Sequence, residues 1–151
     1  MTDAHPPHAY EIVQRLAMMM QFTPQARALG LELTRVEGPR AWGRVPYRAD
    51  LIGDPDTGVI AGGVVTTFLD QICGVAAVAG MQTPTSVATI DLRIDYMRAA
   101  SPPKDVLAEA HCIRVTRNVA FVRATAYDEN PDDPIALAAA TFMVRAREAK
   151  K

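Results

Sequence analysis

VIAGGVVTTFLDQICGVAAVAG, residues Val59–Gly80, is the most apolar stretch of this 151-residue chain and is long enough to cross a bilayer, yet Asp70 stands at its middle. A central aspartate costs roughly 2.5–3.5 kcal/mol even on a lenient insertion scale. The stretch therefore reads as a helix buried inside a water-soluble fold, carrying a carboxylate that needs an explanation. A helix apolar on nearly every side is covered on nearly every side, so the flanking sequence must supply the cover.

Downstream, SVATIDLRIDYM (Ser86–Met97) alternates: Ala88, Ile90, Leu92, Ile94 and Tyr96 form one set, Thr89, Asp91, Arg93 and Asp95 the other. That is the period of a half-buried strand. Three more strands are expected at Asp105–Arg117 after Ser101-Pro102-Pro103-Lys104, at Val119–Asp128 after a tight turn at Arg117-Asn118, and at Ile135–Arg147 after NPDDP. Such spacing predicts an antiparallel meander. Their even-numbered positions are repeatedly alanine, as at Ala108, Ala110, Ala124, Ala126, Ala138 and Ala140. Alanine is a poor strand former, so an alanine face predicts a bulky element pressed against the sheet, and the Val59–Gly80 helix is the natural occupant.

Upstream, GLELTRVE (Gly30–Glu37) and RAWGRVPYR (Arg40–Arg48) read as short strands joined at Gly38-Pro39. Ile12, Leu16, Met19 and Met20 give His8–Phe22 one face of an amphipathic helix, which Pro24 interrupts. The expected fold class is α+β, an antiparallel sheet of five to six strands wrapped around one long central helix, with a shorter helix outside. Residues 1–21 form the N-terminal segment, 22–147 the domain and 148–151 a polar tail. A ferredoxin-like sandwich would need a second long helix late in the chain, and none is visible.

Composition narrows the function. At 49% hydrophobic and 22% charged residues the chain is ordinary for a globular protein, which argues against disorder and low-complexity scaffolds. Sixteen Lys+Arg against seventeen Asp+Glu provide no cationic excess for nucleic acid or an anionic membrane, so neither is an expected partner. Cys73 and Cys112 belong to no CxxC and no His/Cys cluster, and structural zinc is not expected. The N-terminus MTDAHPPHAYEIVQ lacks a basic region followed by an apolar one, so a cytoplasmic location with reduced thiols is the expectation. GxSxG, Walker and HExxH patterns are missing, and His5, His8 and His111 stand apart from one another.

What remains is the start of the long helix. Gly62 and Gly63 would let a ligand approach the backbone closely, and the free N–H groups there could meet a developing oxyanion. Asp70 shares its helix face with Thr66, Thr67, Cys73 and Gly74, a face able to border a narrow polar site. The competing reading makes the glycines a packing contact or turn and Asp70 a satisfied structural acid; a carboxylate in an apolar helix favours use, because its desolvation is costly.

The helix-opening glycine pair with Asp70 eight residues after Gly62, the strand ATIDLRIDYMRAA (Ala88–Ala100) and the closing AAATFMV (Ala138–Val144) together resemble the hotdog-fold thioesterases of the phenylacetic-acid-degradation (PaaI) type, from about Phe22 to Val144. The resemblance implies hydrolysis of acyl-CoA without metal or cofactor. Asp70 would act as general base or nucleophile, the amide at Gly62 would polarise the thioester carbonyl, and Thr89 would place the water. The turn at Arg117 and Asn118 would meet the nucleotide end of coenzyme A. The resemblance also implies a homodimer or homotetramer, with Asp70 of one chain facing Gly62 of another. Two positions depart from the pattern. The family's HGG is Ala61-Gly62-Gly63 here, so the imidazole is missing, and the usual upstream Asn is replaced by Asp54, followed by Pro55. Ala61, Gly63 and Asp54 are expected beside the substrate. If Asp54 nears Asp70, repulsion raises at least one of the two pKa values. The alternative implied by Ala61 is a non-catalytic acyl-CoA binder.

Overall fold

A computed structural model describes residues 11, 13–15, 18 and 21–145. Positions 11, 13–15, 18 and 21 are helical; Ile12, Leu16, Met19 and Met20, which carried the amphipathic reading, lie outside the described residues, as do His5 and His8. Pro24 opens a helix rather than only ending one. It occupies the first turn of α1 (Pro24–Leu29), where its missing N–H is not needed, and the Thr23 side chain caps that turn by accepting from Ala26 N.

The hairpin β1 (Glu32–Glu37) and β2 (Arg40–Val45) turns at Gly38, whose φ of +52° suits a glycine. A short 3₁₀ turn (Ala49–Leu51) leads into a small hairpin that sequence reading did not anticipate, β3 (Ile52–Asp54) with β4 (Val59–Ile60). The long helix α2 (Gly62–Ala79) follows, and then β5 (Val87–Tyr96), β6 (Val106–Val115), β7 (Val119–Tyr127) and β8 (Ala136–Val144). Six strands form one antiparallel sheet in the order β1-β2-β6-β7-β8-β5.

The meander is therefore confined to β6, β7 and β8. β5 pairs with β8 rather than with β6, so the segment at Ser101–Lys104 is a crossover, not a hairpin. Bonds at its start direct it away: Met97 N donates to Ile135 O at 2.8 Å and the Arg98 guanidinium grips Asp128, which carries the chain towards the start of β8. As a result β5 is an edge strand.

The alanine face meets the helix as expected. Ala108, Ala110, Ala126 and Ala136 are fully buried, and α2 packs across β6, β7, β2 and β5. By length and hydropathy α2 would pass for a membrane span, but its apolar side chains are packed into the core, Phe68, Leu69, Ile72 and Cys73 among them. Small floor residues allow close approach; Gly80 is held so near β6 that a Cβ there would sit 2.7 Å from Cys112 Sγ. With no spare volume, enlarging the floor strains the packing. Ala110→Leu is expected to lower unfolding free energy in urea by roughly 1–3 kcal/mol. An unchanged midpoint would mean that the helix does not bear on this floor.

Candidate active site

Burial strips α2 down to one accessible band. Gly62, Gly63 and Thr66 are exposed and Thr67 and Asp70 half-buried, whereas Cys73 and Gly74, expected on the same face, are enclosed. Burial, with the negative charge of Asp70 adding to it, pushes the Cys73 thiol up to about 12, so it has no role as a nucleophile. Asp70 lies at the far end of this band beside edge strand β5, and Gln71, also half-buried, lines a separate depression with Phe68, Ile72 and Val75.

Strand β5 does not alternate as the sequence suggested. Thr89 pairs with Phe142 and Asp91 with Thr141, so Ile90 is an extra residue, a β-bulge, and its side chain is 55% exposed. The bulge changes the phase of the strand. Thr89, expected on the outer face with Asp91 and Arg93, instead joins Leu92 and Ile94 opposite the inward Phe142, Ala140 and Ala138. There its Oγ1 donates to Asp70 Oδ1 at 2.8 Å. Bulges commonly re-aim a side chain in this way beside a site. The expected pair of Asp70 and Thr89 is thus in contact, but only because the expected periodicity fails.

At the helix start, hairpin β3–β4 seats Ala61: a Cβ on Gly53 would lie 2.7 Å from Ala61 Cα, and Ala61 N donates to Leu51 O at 2.9 Å. Ala61 is the N-cap and offers no side-chain cap. Val64 N donates to Ala61 O, while the amides of Gly62 and Gly63 have no acceptor among the described residues. A Cβ on Gly63 would meet nothing within 4 Å. The protomer itself does not require a glycine there, which leaves a bare pair of outward-facing donors.

Tyr96, which sequence reading placed only among the apolar set, reaches this point as well. Its hydroxyl donates to Gly62 O at 2.7 Å and lies 2.6 Å from Thr66 Oγ1, which also donates to Gly62 O at 3.1 Å. The available signal was the phenol itself, whose oxygen calls for a partner in a strand that packs on a helix.

Other candidates stand apart. Asp54 turns into its own loop, accepting from Thr57 Oγ1 at 2.6 Å and Asp56 N at 3.1 Å, and these bonds hold its carboxyl below the usual range. That direction is opposite to the one expected from a carboxylate neighbour. Arg117 and Asn118 form the exposed β6–β7 turn, where Thr116 N donates to Val119 O and Asn118 O accepts from Val144 N. The far end of α2 lies near this end of the sheet, since Gly80, Met81, Val115 and Val144 line one depression. His111 is cross-strand from Arg40 and Arg123, and burial together with Arg40 lowers its pKa.

The family model of the thioesterase superfamily matches residues 57–135, which hold β4, α2, β5, β6 and β7. The chain belongs to that superfamily. A Salmonella typhimurium protein named medium/long-chain acyl-CoA thioesterase YigI is 30% identical over 142 residues, covering 84% of this chain and 89% of the relative. A Pseudomonas aeruginosa protein of solved structure is 38% identical, with a TM-score of 0.79 over 88% of this chain and 98% of its own. The Escherichia coli PaaI protein, from the phenylacetic acid degradation operon, shares the fold at 14% identity, with a TM-score of 0.78 over 95% and 97% of the two chains. The architecture is the hotdog fold, as the resemblance implied.

In this thioesterase-superfamily chain the segment after β5 is tied down by an ion pair. Arg98 donates through both terminal nitrogens to Asp128, which is 4% exposed and also accepts from Ser101 N. The Arg98 guanidinium holds the Asp128 carboxyl well below the usual range. A depressed carboxyl contributes stability that is full above its ordinary value and lost as pH falls through the depressed one. Asp128→Ala is expected to cost about 2 kcal/mol at neutral pH, because it removes two charge-assisted hydrogen bonds and leaves Arg98 with Asp133 and the Ala99 carbonyl. The cost should shrink below the usual carboxylate range, where the unfolded chain takes up a proton that the folded Asp128 resists. Urea unfolding at pH 7 and pH 2 checks this; an equal cost at both would contradict it.

Proposed function

We propose that the protein hydrolyses acyl-CoA thioesters to free acid and coenzyme A, in homo-oligomers whose sites are shared between two chains. The observation that carries this reading is the Thr89–Asp70 hydrogen bond: a carboxylate on an otherwise apolar helix, held by a bulge-placed hydroxyl at the rim of an open band. With Thr89 on Oδ1, the other carboxylate oxygen takes the proton of a water whose oxygen attacks the thioester carbon. Negative charge collects on the carbonyl oxygen, which the Gly62 and Gly63 amides would meet. The carbon–sulfur bond then breaks, and coenzyme A leaves as a thiolate that takes up a proton. The name of the YigI relative supports medium or long acyl chains as the first to try.

Helix geometry supports the shared site. Eight residues at 1.5 Å each separate Gly62 from Asp70 by about 12 Å along α2, too far for both to act on one thioester carbonyl. A second copy, placing its Gly62 against this Asp70, closes the gap. The free edge of β5 and the uncovered α2 band lie side by side and give that copy a surface. A cytoplasmic setting fits two free, buried thiols, Cys73 and Cys112.

One observation favours a weakened or non-catalytic acyl-CoA binder: Ala61 brings a methyl group where the resemblance has an imidazole. Thiol release from an acyl-CoA series separates the readings. Wild type should turn over, Asp70→Asn should lose roughly 10²–10⁴-fold in kcat, and Ala61→His should equal or exceed wild type. Tight acyl-CoA binding with no thiol release from wild type would instead favour the binder. Deleting Ile90 is expected to lower kcat by the same factor as Thr89→Val, because both remove the hydroxyl from Asp70. A deletion variant with wild-type kcat would show that the bulge does not place Thr89.

A further inference from the structure

We propose that Tyr96 is a positioning residue that holds the Gly62–Gly63 peptide in register for catalysis, an inference that rests on the thioesterase reading above. Two consecutive glycines are the most pliable opening a helix can have. Here the N-cap Ala61 supplies no side-chain bond, and on its N-terminal side the first turn has only the backbone bonds of Ala61, which accepts from Val64 N and donates to Leu51 O. A further restraint arrives from the sheet. Tyr96, last residue of β5, donates its hydroxyl proton to Gly62 O at 2.7 Å, and Thr66, one turn along α2, lies 2.6 Å from the phenol oxygen and 3.1 Å from the same carbonyl. Two hydroxyl protons serve these three contacts. Whichever way they are shared, Gly62 O accepts at least one of them.

The consequence passes through peptide planarity. Gly62 C=O and Gly63 N–H belong to one rigid plane and point in opposite directions. Fixing the oxygen against Tyr96 and Thr66 fixes the amide outward, where it has no acceptor within the described chain. Oxyanion stabilisation depends on donors that need no reorganisation when charge develops. Tyr96 supplies that preorganisation through the Gly62 carbonyl. Tyr96 is 49% exposed, so burial within the protomer is not what retains it.

Tyr96→Phe keeps the ring and removes the hydroxyl. In the full-length protein, kcat for acyl-CoA hydrolysis is expected to fall roughly 10- to 100-fold while KM stays within about twofold, since a misplacement of about 1 Å suffices for such a loss. Tm should fall by no more than about 4 °C, the size of one lost hydrogen bond in a domain of this length. Amide ¹⁵N order parameters of Gly62 and Gly63 provide a readout independent of turnover. They should drop from near the rigid value of about 0.85 to below about 0.6. Unchanged order parameters, or kcat and KM both at wild-type values, would overturn the proposal. Loosened glycines in a protein whose wild type turns over no acyl-CoA would overturn the thioesterase reading and the catalytic half of the proposal, leaving only the clamp.

Discussion

The contact between α2 and its alanine floor is the constraint on which the rest depends. Because Ala108, Ala110 and Ala126 lie fully buried beneath it, the helix sits low in the sheet and loses nearly every side to the core. One band stays open, from Gly62 to Asp70. That band is not an accident of surface composition: strand order puts β5 at the edge, with no further strand beyond it to cover the helix. The candidate site lies along the seam between the helix and the last strand.

β5 grips that seam at two points. Near its start, Thr89 bonds the carboxylate of Asp70; at its end, Tyr96 bonds the carbonyl of Gly62. Between them Leu92 and Ile94 face the helix side as ordinary packing. A strand with strict alternation would serve only one grip, since Thr89 and Tyr96 differ by an odd number of residues. The extra residue at Ile90 reconciles the two, at the expense of an exposed isoleucine on a free edge. The same edge and band are where a second copy would bury Ile90 and bring its own helix start to Asp70.

Much of this was legible in the sequence, for reasons that can be named. An all-round apolar helix with one acid, an alternating strand and repeated alanines at even positions are each consequences of how the core is built, so the layers followed from them and Asp70 stood out as the candidate. What stayed hidden depends on register and distant contacts. The bulge at Ile90 leaves no mark in composition, and a period-2 reading therefore put Thr89 on the wrong face. The edge position of β5 follows from Arg98 and Asp128, which lie 30 residues apart and pair only in the fold. Asp54 was expected beside the substrate by analogy of position, but short-range bonds to Thr57 and Asp56 turn its carboxylate into its own loop.

The central claim, that each active site draws Gly62 from one chain and Asp70 from another, is tested most directly by complementation. Asp70→Asn and Gly62→Val are each expected to be inactive, and the second should fold, since a Cβ at Gly62 has only ordinary contact with Tyr96 at 3.8 Å. Co-refolded mixtures contain heterodimers in which one of the two sites is intact. The account predicts acyl-CoA hydrolysis by the mixture that neither variant shows alone. A mixture as inactive as its parts would place Gly62 and Asp70 of a working site in the same chain and contradict it.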